Sequence, residues 1–258
     1  MPSTFHLDAF LSGHVFAFLL LFARIGAVIM LFPGIGDTYV PPRIRLAFAL
    51  SISALLLEPM LPRLPAMPSQ PGALASLLMY EIVIGLFFGT LIRVIVSTLE
   101  AAGSVIGMET GLSSATLLNP ALATQSTLPS AFLTLAGMAL IFVTGADRFL
   151  FRCMAALYDF FPAGGTLMPG DMARVVIDLV NRSFTVGIEL AAPFFIMGLL
   201  MYTAFGILQR LMPQVQVFLV ALPLQIWGGL LLFSLTVTTM MTIWLKFLDH
   251  SLGSFFQG

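Results

Sequence analysis

Apolar residues gather into six blocks along this chain, at roughly 14–32, 46–61, 74–96, 131–145, 184–208 and 215–245. A helix that crosses the hydrocarbon core of a bilayer needs about 20 predominantly apolar residues. The first, third, fifth and sixth blocks reach that length, and the sixth has length to spare. The second ends early, at Glu58-Pro59. The fourth is short and continues into "DRFLFRCMAALYDFF", whose polar and apolar positions read as an amphipathic helix. The expectation is an all-α integral membrane protein of about six apolar helical segments.

Turn signals separate the blocks. "FPGIG" at 32–36 and "VPPR" at 40–43 break the chain after the first block. "LPRLPAMPSQPG" at 61–72, with its prolines, is a stiff loop, and "FPAGGTLMPGD" at 161–171 is another. Pro193 and Pro223 lie inside the last two blocks. Each removes a backbone donor and is expected to kink its helix, which neighbouring helices in a bundle can compensate.

Composition agrees with the pattern. Hydrophobic residues make up 59% of the 258, charged residues only 9%, against about 25% in soluble domains. The net charge is −1 and no basic run occurs, which argues against a nucleic-acid partner. No Lys or Arg precedes Arg24, so the N-terminus does not read as a secretory signal peptide and is expected to be retained. The 15 methionines read as flexible core filling.

The arginines do not choose a side. With six alternating spans, Arg43, Arg45 and Arg210 fall in one set of loops, and Arg63, Arg148, Arg152, Arg174 and Arg182 in the other. The positive-inside rule gives no clear orientation. Either the topology is unusual or the blocks pack mainly against protein.

Inside the blocks stand four ionisable residues, Arg24, Glu81, Arg93 and Glu189. A charge at the bilayer centre costs roughly 2.5–3.5 kcal/mol on insertion scales, so such groups pair or face water. A proton or ion path is one reading. Structural pairing, such as Arg24 with Glu81 or Glu189, or contact with a partner subunit, is the favoured one. No catalytic constellation accompanies them. The chain has no G-x-S-x-G elbow, no phosphate-binding glycine loop, and no His beside an acid in an apolar block. His6, His14, His250 and the single Cys153 lack metal-ligand spacing. No catalytic residue, cofactor or metal is expected.

One stretch resists the simplest reading. "GSVIGMETGLSSATLLNPALATQSTLPS", from 103 to 130, separates two apolar blocks and holds a single acid, Glu109. Gly103, Gly107 and Gly111 are four apart, which places them on one helical face with about 40° of drift per step. Gly85 and Gly89 form a separate pair that reads as helix packing. Past Gly111 the stretch is too polar to face lipid tails. It is either an exposed loop or a segment lining or filling a water-accessible channel.

Two motifs carry a family resemblance. "PGIGDTYVPPRIRLAFAL" holds Pro33, Gly36, Val40, Pro41, Arg43 and Arg45, and "FGILQRLMPQVQVFLVALPLQIWGG" holds Gly206, Arg210, Pro213, Gln214, Phe218, Pro223 and Gly228. With the order of the apolar blocks, they make the chain resemble the FliR/SctT family of type III secretion export-gate proteins over nearly its whole length. Tyr202, Gln216 and the "GADR" after the fourth block differ from the family's usual residues.

The resemblance implies one export-gate domain over 1–258, non-enzymatic, in the bacterial inner membrane at the flagellar basal body. Its helices would form kinked hairpins in a helical assembly with FliP-like and FliQ-like subunits, near FlhB-like and FlhA-like proteins, and exported flagellar proteins would pass through. The segment between the third and fourth blocks would plug the pore, through Gly103, Gly107, Glu109, Gly111, Asn119 and Pro120. Arg43, Arg45, Arg210, Pro213 and Gln214 would dock neighbouring subunits, for which the arginine fork is suited. A secondary transporter of a small solute is the alternative, with broken helices at Pro193 and Pro223 as its site.

Overall fold

A computed structural model of the chain describes residues 7–37, 39–113, 127–166, 168–212 and 217–257. Side chains are described for all of these except 7–12, 217–220 and 254–257. Seven α-helices run through the described residues: α1 Leu7–Leu31, α2 Pro42–Met60, α3 Pro71–Glu109, α4 Leu128–Val143, α5 Ala146–Phe160, α6 Pro169–Leu211 and α7 Val217–Gln257. No strand forms among the described residues. The expected all-α membrane architecture is present.

Prolines mark the helix starts. Pro42, Pro71 and Pro169 each open a helix, where a missing N–H costs nothing because the first turn has no partner for it. Pro193 and Pro223 instead lie within the continuous helices α6 and α7. The fourth block and the amphipathic segment after it form α4 and α5, bent by 77° about the short break between them. Gly145 opens α5 with φ of +76°.

Two expectations about the blocks need correction. The second block is long enough to span after all. Its helix and the 3-10 turn Leu61–Arg63 make a segment of 22 residues, because Glu58 sits exposed in the last turn and does not interrupt the apolar stretch before it. The third block does not stop near Val96. Its helix continues to Glu109, since Leu99, Ala102 and Ile106 still bury a face. Five helices are thus long and apolar enough to cross a membrane, or six if the bent pair counts as one span.

The chain divides into two compact units, one of residues 1–93 with 141–177, the other of 94–140 with 178–258. In the first, α1 buries Leu21, Ile25, Val28 and Ile29, a helical stripe that Phe32 extends just past the helix end, and α5 buries Leu150, Cys153, Met154, Leu157 and Tyr158. Gly85 and Gly89 of α3 allow α1 its close approach. A Cβ at Gly85 would strike the Arg24 carbonyl, and one at Gly89 the Leu31 side chain. These two glycines are the helix-packing pair that their spacing implies.

In the second unit, α3 contributes Ile95, Leu99, Ala102 and Ile106, α6 contributes Leu190, Ala191 and Phe194, and α7 contributes Met240, Trp244 and Leu248. Trp244 is fully buried, and its indole Nε1 donates to the Ile95 carbonyl at 3.0 Å. Gly137 on α4 leaves room for the Trp244 ring and Leu99.

Candidate functional site

The small-residue stretch resolves into a clasp at its two ends. Gly103 lies against the backbone of Ser130, and Gly107 against the Thr127 side chain, so a Cβ at either position would collide. The Thr127 hydroxyl donates to the Gly103 carbonyl at 3.0 Å and accepts from the Ser130 N–H at 3.4 Å. It thus caps the start of α4 while tying it to α3. The Ser130 hydroxyl adds a bond to the Glu100 carbonyl at 3.1 Å. The chain leaves α3 through Gly111, whose φ of +72° is the left-handed conformation that a helix C-terminus favours and that glycine adopts without strain.

A polar cluster sits at that exit. Gln225 of α7, buried in an apolar helix, donates from Nε2 to the Glu109 carbonyl at 2.6 Å and to the Tyr202 hydroxyl at 3.4 Å. The Glu109 carboxylate is half-buried against Gly198 of α6, where a side chain would collide with it. No donor among the described residues meets that carboxylate. Asn119 and Pro120, which the resemblance also assigns to a plug, lie outside the described residues. Gln225 escaped sequence reading because a neutral amide gives no charge signal. A Gln deep within an apolar block was the sign available, since a buried amide must find partners.

Beside the end of α3, an apolar cavity of about 360 Å³ is lined by Ile106, Thr110, Leu128, Phe132, Leu230 and Phe233, among others. The Thr110 hydroxyl is already bonded to the Ile106 carbonyl at 2.7 Å, so the lining offers no free donor from it.

The proposed docking arginines differ in situation. Arg45 turns back on its own loop, donating to the Val40 carbonyl at 3.0 Å and the Gly36 carbonyl at 3.2 Å. Arg43 and Arg210 are exposed and make no hydrogen bond or ion pair among the described residues. Pro213 and Gln214 lie outside the described residues. Asp37 braces the same loop as Arg45, accepting from the Gly34 N–H at 2.9 Å and from Arg93 at 3.0 Å.

The charges inside the blocks are largely paired. The Arg24 guanidinium forks onto the Glu81 carboxylate at 2.6 and 3.1 Å, and donates to the Phe161 carbonyl at 2.9 Å. It lies 3.7 Å above the Tyr158 ring, whose hydroxyl reaches Glu81 at 3.3 Å. Arg24 is 1% and Glu81 0% exposed, so the pair is fully desolvated, and its bidentate form makes it strong. The knot ties α1, α3 and α5 together. Of the two partners open to Arg24, Glu81 is the one used. Glu189 is exposed on α6.

These observations define a class: a polytopic all-α membrane protein with a hydrogen-bonded clasp around a small-residue segment and no cluster of three or more potential metal-binding groups among the described residues. Residues 15–251 match the family described as Bacterial export proteins, family 1, and the chain belongs to that family. The flagellar biosynthetic protein FliR of Caulobacter vibrioides is 35% identical over 231 residues, 89% of this chain and 92% of that one. FliR of Aquifex aeolicus is 29% identical, covering 85% and 84%. The Yop proteins translocation protein T of Yersinia pestis is 27% identical over 56% of each chain.

Proposed function

We propose that the chain is a non-enzymatic subunit of the flagellar type III export gate in the bacterial inner membrane. It helps to form and plug the channel through which flagellar proteins leave. FliP-like and FliQ-like subunits are its neighbours, and FlhB-like and FlhA-like proteins complete the gate. Family membership supports the export role. The flagellar relatives cover more of the chain than the Yop protein does, which favours flagellar use.

The observation that carries the multi-subunit reading is a pair of exposed carboxylates. Glu100 on α3 and Glu189 on α6 are exposed on apolar helices and have no side-chain partner among the described residues. Facing lipid at the bilayer centre, each would carry a penalty of roughly 2.5–3.5 kcal/mol. Neighbouring subunits or a wet channel remove it. Helix length points the same way. At 1.5 Å per residue, α3, α6 and α7 with 39, 43 and 41 residues are about 59, 65 and 62 Å long, twice the ~30 Å hydrocarbon core. Their length beyond one bilayer crossing is available for contact with neighbouring subunits.

The plug runs from Gly103 to Pro120. Gly103 and Gly107 form its anchored base, Gly111 its turning point, Glu109 and Asn119 its polar groups, and Pro120 its far end. Small side chains fit a narrow lumen and can move aside at modest cost. Exposed Arg43 and Arg210 dock neighbours, and Arg45 presents the loop beside Arg43, with Pro213 and Gln214 continuing the second docking surface.

Mass and subunit content of the tagged protein, purified from its native membrane in mild detergent, test the assembly. One copy in a large complex with FliP-like and FliQ-like chains supports the gate. A lone monomer or homodimer supports the transporter instead. For the plug, deletion of residues 107–117 should raise ion leakage through the resting complex, and unchanged leakage would sink it.

A further inference from the structure

The last carbonyls of a helix have no partner within it and must find one elsewhere. At the end of α3 the Met108 and Gly107 carbonyls are met locally, by the Gly111 N–H at 3.2 Å and the Ser113 N–H at 3.0 Å, and the last one, that of Glu109, is met from a distant helix. Gln225 is 6% exposed, and its Nε2 donates to the Glu109 carbonyl at 2.6 Å. The same face of α7 cradles the next two residues. The Leu222 methyl and the Gln225 carboxamide lie 3.3 and 3.5 Å from where a Cβ at Gly111 would stand. One turn on, Gly229 has no side chain, and the Thr110 side chain occupies that space. Residues 109–111 are therefore seated on 222, 225 and 229, three positions of one helical face.

A hydrophobic contact alone would not select a direction for the departing chain. The turn's own backbone bonds set it relative to α3, and the amide fixes the turn against α7, because a hydrogen bond at this length requires both distance and alignment. It acts beside Gly111, where the backbone changes from helical to left-handed conformation.

We infer that Gln225 is a positioning residue of the channel: by capping the final carbonyl of α3 it locks the turn at Thr110 and Gly111 against α7, and so holds the base from which the proposed plug departs. This rests on the plug reading given above. Tyr202 supports the amide from α6 through its longer contact at 3.4 Å.

The test uses whole gates assembled with their partner subunits. Cys153 is replaced by Ala and Leu112→Cys supplies a reporter thiol just past the exit. Gln225→Met matches the side chain's length without the donor, and Gln225→Asn keeps an amide one methylene too short. Two quantities are read on assembled gates only: the labelling rate of the thiol by a membrane-impermeant maleimide, and the resting ion conductance.

Gln225→Met gates should label about fivefold faster than their parent, the shift that loss of one hydrogen bond of ordinary net strength allows, and should conduct more ions at rest. Gln225→Asn should shift both in the same direction by less, and carries the test if Gln225→Met gates do not assemble. Faster labelling without added conductance keeps the positioning role and sinks the plug. Leakage on deletion of 107–117, with parental labelling and conductance in the Gln225 variants, keeps the plug and overturns the positioning role. Failure of both variants to assemble also overturns it, because the residue then acts on folding.

Discussion

Arg24 and Glu81 meet with almost no solvent around either, and that decides what their loss would do. Removing one partner strands a charge in an apolar unit, at about 3–5 kcal/mol for a buried pair. Glu81→Gln should sharply lower the yield and unfolding temperature of the detergent-solubilised protein. The double variant Arg24→Met with Glu81→Leu should recover part of both, because no charge is left unpaired. Arg93→Ala is the contrast. Its ion pair with Asp37 is half-exposed on the arginine side, so the change should cost less than about 1 kcal/mol. The need for a partner to Arg24 was legible in the sequence, since a charge in an apolar block demands one. The choice of Glu81 over Glu189 was not, because it depends on which helix faces bury against each other. Gln225 was passed over for a related reason: its importance lies in a carbonyl 116 positions away.

Between elements, the glycine spacing at 103 and 107 announced a close contact but not its partner. The face meets the start of α4, with Thr127 both capping that helix and bonding α3. Thr127→Val keeps the shape and removes both bonds, at about 1–2 kcal/mol. Hydrogen exchange should show it as faster exchange of the first α4 amides, with α1 amides unaffected. Gly103→Val should be worse, because a Cβ there strikes the Ser130 backbone and overpacking forces the helices apart. The amphipathic reading of the segment after the fourth block holds as α5, since one stripe of apolar positions is a local property. The ends of the second and third blocks did not read correctly. Glu58-Pro59 and the more polar run past Val96 look like stops, yet a helix continues wherever one of its faces is still buried.

For the whole molecule, the long helices and the exposed Glu100 and Glu189 belong together under the gate proposal. If neighbours cover these carboxylates, Glu100→Lys or Glu189→Lys should reduce the FliP-like and FliQ-like subunits recovered with the tagged chain severalfold. The matching Glu→Gln changes should have much less effect, and quantitative mass spectrometry of the purified complex reads the ratio. Recovery unaffected by either reversal would place these faces away from subunit contacts.

Membrane residence, helical class and the approximate number of spans were determined by the sequence itself. Each follows from the free energy of moving apolar residues and unpaired backbone groups out of water, which composition and run length record directly. Family membership was likewise legible, from the motifs around Arg43 and Pro213. Only the tertiary structure decided that Arg24 takes Glu81, that Arg45 turns inward while Arg43 stays exposed, and that Gln225 caps α3. These depend on distances between residues far apart in the chain, set by which small side chains let helices approach, and no local pattern encodes them.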